Sequence, residues 1–144
     1  MRKLLVALLL FTTTLAVAEN WQMIIDSTDD SRLLVDTESI TLEGYVTESG
    51  DNSVRVYATM KIFTNEQEVI PMIAVIDGTE CVKQQGGQLE AIIDQEGNGL
   101  TYFWSMDGGK LYDSQGQFLC GYFMGTLKQY SKDRNQDNNP KITM

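Results

Sequence analysis

The chain has no histidine at all. That removes the usual general base of nucleophile-type hydrolysis and the commonest transition-metal ligand. Cysteine is nearly absent too: Cys81 and Cys120 stand alone, with no C-x-x-C pair, so thiol catalysis and zinc ligation lack a framework. Positive charge is scarce, 11 basic against 20 acidic residues for a formal net charge of −9. Such a balance repels phosphate backbones and anionic lipid surfaces, which argues against nucleic acid and favours basic protein partners. No internal repeat is visible.

Long apolar runs are also missing, apart from one at the N-terminus. Arg2 and Lys3 supply a positive start, Leu4 to Phe11 an apolar stretch, and Ala16-Val17-Ala18 a small-residue cleavage site, so residues 1–18 are expected to be a signal peptide cut between Ala18 and Glu19. The run is well short of the roughly 20 residues that span a bilayer. No cysteine stands just after the cut to accept a lipid, the nearest being Cys81. A periplasmic or secreted protein without a stable membrane anchor is the consequence. Losing 18 of 144 residues leaves 126, the size of one domain, and losing Arg2 and Lys3 takes the net charge to −11.

Export to an oxidising compartment makes a Cys81–Cys120 disulfide the default reading, and closing that loop stabilises the fold by roughly 4 kcal/mol on the chain-entropy picture. Strand patterns dominate from Trp21 onward. In Ser53 to Phe63, Val54, Val56, Ala58, Met60 and Ile62 alternate with Arg55, Tyr57, Thr59, Lys61 and Phe63, the period of a half-buried strand. Shorter strands are predicted at Trp21–Ile25, Arg32–Asp36, Leu42–Val46, Val69–Asp77, Gln88–Asp94 and Thr101–Met106. Turn residues at Ser27–Asp30, Glu48–Asn52, Asp77-Gly78, Gly86-Gly87, Gly97–Gly99 and Asp107–Gly109 separate them.

Asp107-Gly108 predicts a hairpin between Tyr102–Met106 and Lys110–Tyr112. Pro71 predicts an edge position for its strand, or a strand that starts beyond it. Asp36–Ile40 reads as one helical turn. Gln117–Tyr130 stays open between a strand, with Phe118, Cys120, Tyr122 and Met124 on one face, and a short helix, which Gly121 and Gly125 weaken. Residues 131–144 read as a disordered polar tail after a β-rich domain at 19–130. The expected fold is mainly β, with α+β the other option: a single compact antiparallel-sheet domain with one disulfide and little helix.

Nothing in the spacing singles out catalytic residues, and no cofactor is assigned. Asp94, Glu96 and Asn98 offer oxygens at the first, third and fifth positions of a calcium loop, but the twelfth is Ser105 inside a predicted strand, so a plain turn is the reading preferred and no metal site is assigned. The aromatic residues Trp21, Tyr102, Phe103, Trp104, Tyr112, Phe118, Tyr122 and Phe123 are read as core first, with a recognition surface the alternative, and alternation puts Tyr102 and Trp104 on one face and Phe103 on the other.

The stretch Trp21–Ile25, then Leu33-Leu34-Val35-Asp36-Thr37-Glu38-Ser39-Ile40, then the long strand Val54 to Phe63, resembles the surface-adhesin protein E family of Gram-negative bacteria over roughly residues 21 to 81. The resemblance implies a compact β-rich fold, no catalysis, and binding of host proteins such as plasminogen, laminin or vitronectin at the cell surface. Trp21, Asp36, Ser39 and Ile40 match its pattern as structural positions: a buried aromatic, a strand end, a turn and a core contact. The expected function is that of an exported, non-enzymatic, adhesin-like binding protein whose partner is an extracellular or envelope protein. The alternative is an acidic inhibitor of a basic extracellular enzyme such as lysozyme.

Overall fold

The computed structural model describes residues 19–25, 31–66 and 68–137. The signal segment with Ala18, the turn expected at Ser27–Asp30 and the last seven residues of the expected tail lie outside the described residues. Among the described residues seven strands and two helices follow one another: β1 (Trp21–Ile25), β2 (Arg32–Asp36), a 3-10 turn (Thr37–Ser39), β3 (Thr41–Val46), β4 (Asn52–Phe63), β5 (Val69–Asp77), α1 (Gly78–Lys83), β6 (Gly86–Ile92), β7 (Gly99–Ser105) and α2 (Leu111–Asp137). The mainly β, antiparallel fold with one disulfide is present as the sequence predicts, with most of the helix in α2.

All strands join one antiparallel sheet in the order β1-β2-β4-β5-β6-β7, and β3 shares the same edge of β4 as β2. The length of β4 makes this possible. Its second half pairs with β2, Met60 to Phe63 against Val35 to Arg32, and its first half with β3, Asn52 to Tyr57 against Val46 to Thr41. At the seam, the Thr59 N–H donates to Ser39 Oγ at 2.8 Å, and Ser39 Oγ donates to the Asp36 carbonyl at 2.7 Å. A side chain thus closes the ladder where no strand lies opposite. Asp36 ends β2 and accepts from the Glu38 N–H, capping the turn, while Ile40 packs on the core.

Alternation sends Val56, Ala58 and Met60 of β4 to one face, beside Leu33 and Val35, Met72, Ala74 and Ile76, Leu89 and Ala91, and Trp104. The first half of α2 covers this face, contributing Leu119, Cys120 and Phe123. Close approach is enforced by Gly116, where a Cβ would come within 2.2 Å of the Trp104 ring, and by Gly78, where it would meet Phe123 at 2.7 Å. The Cys81–Cys120 disulfide, Cα atoms 5.2 Å apart, ties α1 to α2 with both cysteines buried.

Several expectations are corrected. Lys110–Tyr112 is no strand: Leu111 and Tyr112 begin α2, and of the two options left open for Gln117–Tyr130 it is the helix that forms, as part of a longer one. Tertiary contacts override the glycines, because the buried positions Asp113, Gly116, Leu119, Cys120 and Phe123 recur at helical spacing, while Gly121 and Gly125 face open space. Residues 131–137 continue α2 rather than starting a tail. Nor is the strand of Pro71 an edge: β5 lies between β4 and β6. Its β6 neighbour stops at Ile92 opposite Ile73, so Pro71 pairs only with Lys61 of β4 and faces no strand on its other side. Trp21 is half-buried on the outer face instead of lying in the core. Among the described residues no helix is long and apolar enough to cross a membrane.

Candidate functional site

α2 packs its Leu119, Cys120 and Phe123 on the core side of the sheet, and the strands turn their alternate side chains to the other face. The alternation that buries Val56 and Met60 turns Arg55, Tyr57, Thr59 and Lys61 outward. The same parity brings out Trp21 and Met23, Glu43 and Tyr45, Ile73 and Asp77, Gln88 and Glu90, and Phe103. All charged residues carried by the strands fall on this face, mixed with large apolar ones: Phe103 is 74 %, Met23 50 % and Ile73 42 % exposed. Two cations lie on aromatic rings, Lys61 Nζ 4.1 Å from the centre of Trp21 and the Arg55 guanidinium 4.3 Å from that of Tyr45. These contacts fix long side chains that would otherwise sweep over the sheet.

Two hollows mark the face. One, of about 290 Å³, follows the seam between β2 and β3 and is lined by Ser39, Thr41, Glu43, Tyr57, Thr59 and Ile73. The other, of about 210 Å³, is polar, with Tyr45, Arg55, Asp77, Glu80, Gln88 and Glu90 around it. Asp77 organises the second. Its Oδ1 accepts from Ser53 Oγ at 2.6 Å, Thr79 N at 2.9 Å and Thr79 Oγ1 at 2.8 Å, and its Oδ2 accepts from the Tyr45 hydroxyl. Partial burial alone would raise the Asp77 pKa, but the bonds from Ser53, Tyr45 and Thr79 outweigh it and hold the carboxyl below its ordinary value. The bond to Asp77, with some burial, raises the Tyr45 hydroxyl. A carboxylate so fully engaged is a clamp joining β3, β4 and α1 rather than a proton acceptor.

Glu80 sits beside it, raised by burial despite the Gln88 N–H that its Oε2 accepts at 2.9 Å. Room for that carboxylate comes from Gly87, where a Cβ would lie 1.9 Å from it. Sequence reasoning read Asp77-Gly78 as a turn and missed α1 and this cluster. The signal was present: Asp77 followed three residues later by Glu80 is a helix-start pattern.

The predicted turn at Asp94 closes the β6–β7 hairpin. Its Oδ1 accepts from the N–H groups of Glu96 and Asn98 and its Oδ2 from Asn98 Nδ2, so both oxygens serve the turn itself, and these bonds lower the Asp94 pKa. Ser105, the twelfth position of the loop, lies in β7 with its N–H on Asp113. The disulfide is structural: it lies under α2, away from the open face. Glu19, the residue after the expected cleavage point, accepts a bond from Trp21 Nε1 at 2.7 Å. Compared with family models, curated proteins and solved structures, the chain matches none.

Proposed function

We propose that this chain is an exported, non-enzymatic binding protein of the bacterial cell envelope, adhesin-like, that recognises an extracellular or envelope protein through the open face of its sheet. One observation carries the reading: a single sheet with one face sealed by a disulfide-tied helix and the other presenting exposed Met23, Ile73 and Phe103 among fixed charges. Antiparallel sheets tolerate one solvated face, and that face is ordinarily polar; large apolar side chains interleaved with ordered cations have the composition of an interaction surface. The resemblance to the surface-adhesin protein E family points the same way.

The test is retention of host matrix and serum proteins, with lysozyme included, by the immobilised protein at low and raised salt. Retention of a matrix or serum protein at raised salt, lost in a Met23→Ser/Ile73→Thr variant, is expected. Capture of lysozyme with loss of its activity would support the inhibitor reading instead, for which the acidic hollow of Asp77, Glu80 and Glu90 is the specific feature.

A further inference from the structure

Among the described residues β7 is the last strand of the sheet and pairs only with β6. Ile93 N–H donates to the Asn98 carbonyl and Met106 N–H to that of Gln85, so residues 98 and 106 bond toward β6, and with them 100, 102 and 104. The N–H and C=O groups of Gly99, Thr101, Phe103 and Ser105 therefore point to the free edge. At Ser105 that edge is closed: its N–H donates to Asp113 Oδ1 at 2.7 Å and its carbonyl accepts from Gln117 Nε2 at 3.0 Å, both from α2. From Gly99 to Phe103 it is open among the described residues. Sheets usually blunt such edges with charge or proline, and β7 has neither, while Leu100 and Phe103 expose apolar side chains on its two faces.

We infer that the Gly99–Phe103 edge of β7 accepts an extended segment of a partner protein as an added strand, apolar in its middle and carrying Lys or Arg at both ends. The inference rests on the reading of the chain as a protein-binding module and names the place and chemistry of one contact. Charge selects the occupant. Exposed Asp94 and Glu96 stand at one end of the edge and exposed Asp107 at the other, while Lys110, the basic residue nearest in sequence to Asp107, has its ammonium over the Tyr112 ring. Antiparallel pairing with a second copy, centred on Tyr102, would bring the Asp94 and Glu96 turn of each copy to the Asp107 end of the other, between chains of net charge −9. A strand with basic flanks meets attraction at both ends, and its middle extends the open face past Phe103.

The probe is a short peptide of alternating threonine and valine with two lysines at each end, added to the isotopically labelled full protein. Binding is expected to slow amide exchange of Thr101 and Phe103 by about tenfold or more, and to weaken as salt rises. Thr101→Pro removes an outward donor that β6 does not use, so the sheet should persist and peptide binding should vanish. Should that variant fail to fold, Phe103→Lys poses the same question by placing a like charge at the edge. Equal binding by the variants, or protection confined to the region of Ile73, overturns the inference. Equal binding of a peptide ending in glutamates overturns the basic flanks. Concentration-dependent dimers abolished by Thr101→Pro make the occupant a second copy and overturn the partner assigned. A matrix or serum protein still held by Thr101→Pro leaves the proposed function standing without this edge.

Discussion

The two faces of one sheet are built from the same strands and the same period of two, yet they carry different kinds of residue. The face under α2 is apolar from β2 to β7 and holds Leu33, Val35, Met60 and Leu89 fully buried. The open face interleaves cations, acids and exposed apolar groups, and holds its charges by ring contacts and by the Asp77 clamp. The difference separates stability from recognition. Burial of apolar surface is concentrated where α2 lies, so substitutions there act on folding, while the outer face is free to vary for contact with another molecule.

The largest test of that division is the tie that holds the helix down. Replacing both Cys81 and Cys120 with alanine should lower stability by about 4 kcal/mol, the loss expected for a loop of this length, read as a shift in the denaturant midpoint. If the midpoint hardly moves, packing alone holds α2 on the sheet. Next in size is Leu119→Ala, which empties a fully buried position on α2 and should cost about 3 kcal/mol in the same measurement.

The covered face was legible in the sequence where alternation is clean, above all in the run from Ser53 to Phe63, which reappears as β4, extended by one residue at Asn52, while β5 is apolar on both faces and gives no such signal. The helix that covers it was not legible. Its buried stripe includes Asp113, Gln115 and Gly116, which carry no apolar signal. Asp113 and Gln117 bond the backbone of the loop before them, Asp113 taking Lys110 N–H and Gln117 reaching the Met106 and Gly108 carbonyls. Those bonds turn the chain into a helix where Asp107-Gly108 alone suggests a hairpin. The disulfide partners were readable from compartment and number, yet nothing local revealed that they join two helices. On the open face the residue types were visible, but their meeting depends on register across β3, β4 and β5, which no local pattern encodes.

A smaller effect is expected at the boundary between the faces. Asp77→Ala removes the cap of α1 and the acceptor for Ser53 and Tyr45, costing about 1 kcal/mol for the cap and more if Tyr45 and Ser53 lose their partner. Its pH dependence has a definite sign. The Asp77 pKa is depressed on folding, so its stabilisation is present above the ordinary 3.8 and is lost as pH falls through the lower folded value. Glu80 is raised on folding, so its contribution runs the other way, and stability grows as pH falls through its folded value. Stability measured against pH should therefore lose the Asp77 share of its acid limb in Asp77→Ala, keeping the slope from Asp94 and a smaller one from Glu80, which Asp77 no longer helps to raise. An unchanged acid limb would mean that Asp77 is not the group clamped.

The smallest effect on folding belongs to the open face, and it decides whether the two faces divide their labour. Ile73 is 42 % exposed and pairs with Thr59 and Ile92 across the sheet. Met23 lies at the edge strand, half exposed. Neither fills the space under α2, so Met23→Ser and Ile73→Thr should each change stability by no more than about 0.5 kcal/mol. A recognition surface behaves differently, because there a buried apolar anchor commonly accounts for 2 kcal/mol or more of affinity, roughly a thirtyfold change in Kd. Retention of the protein ligand should fall by about that factor while the denaturant midpoint stays in place. A loss of stability without a loss of binding would reverse the assignment and make the open face a second structural surface, its apolar groups held for the sheet itself.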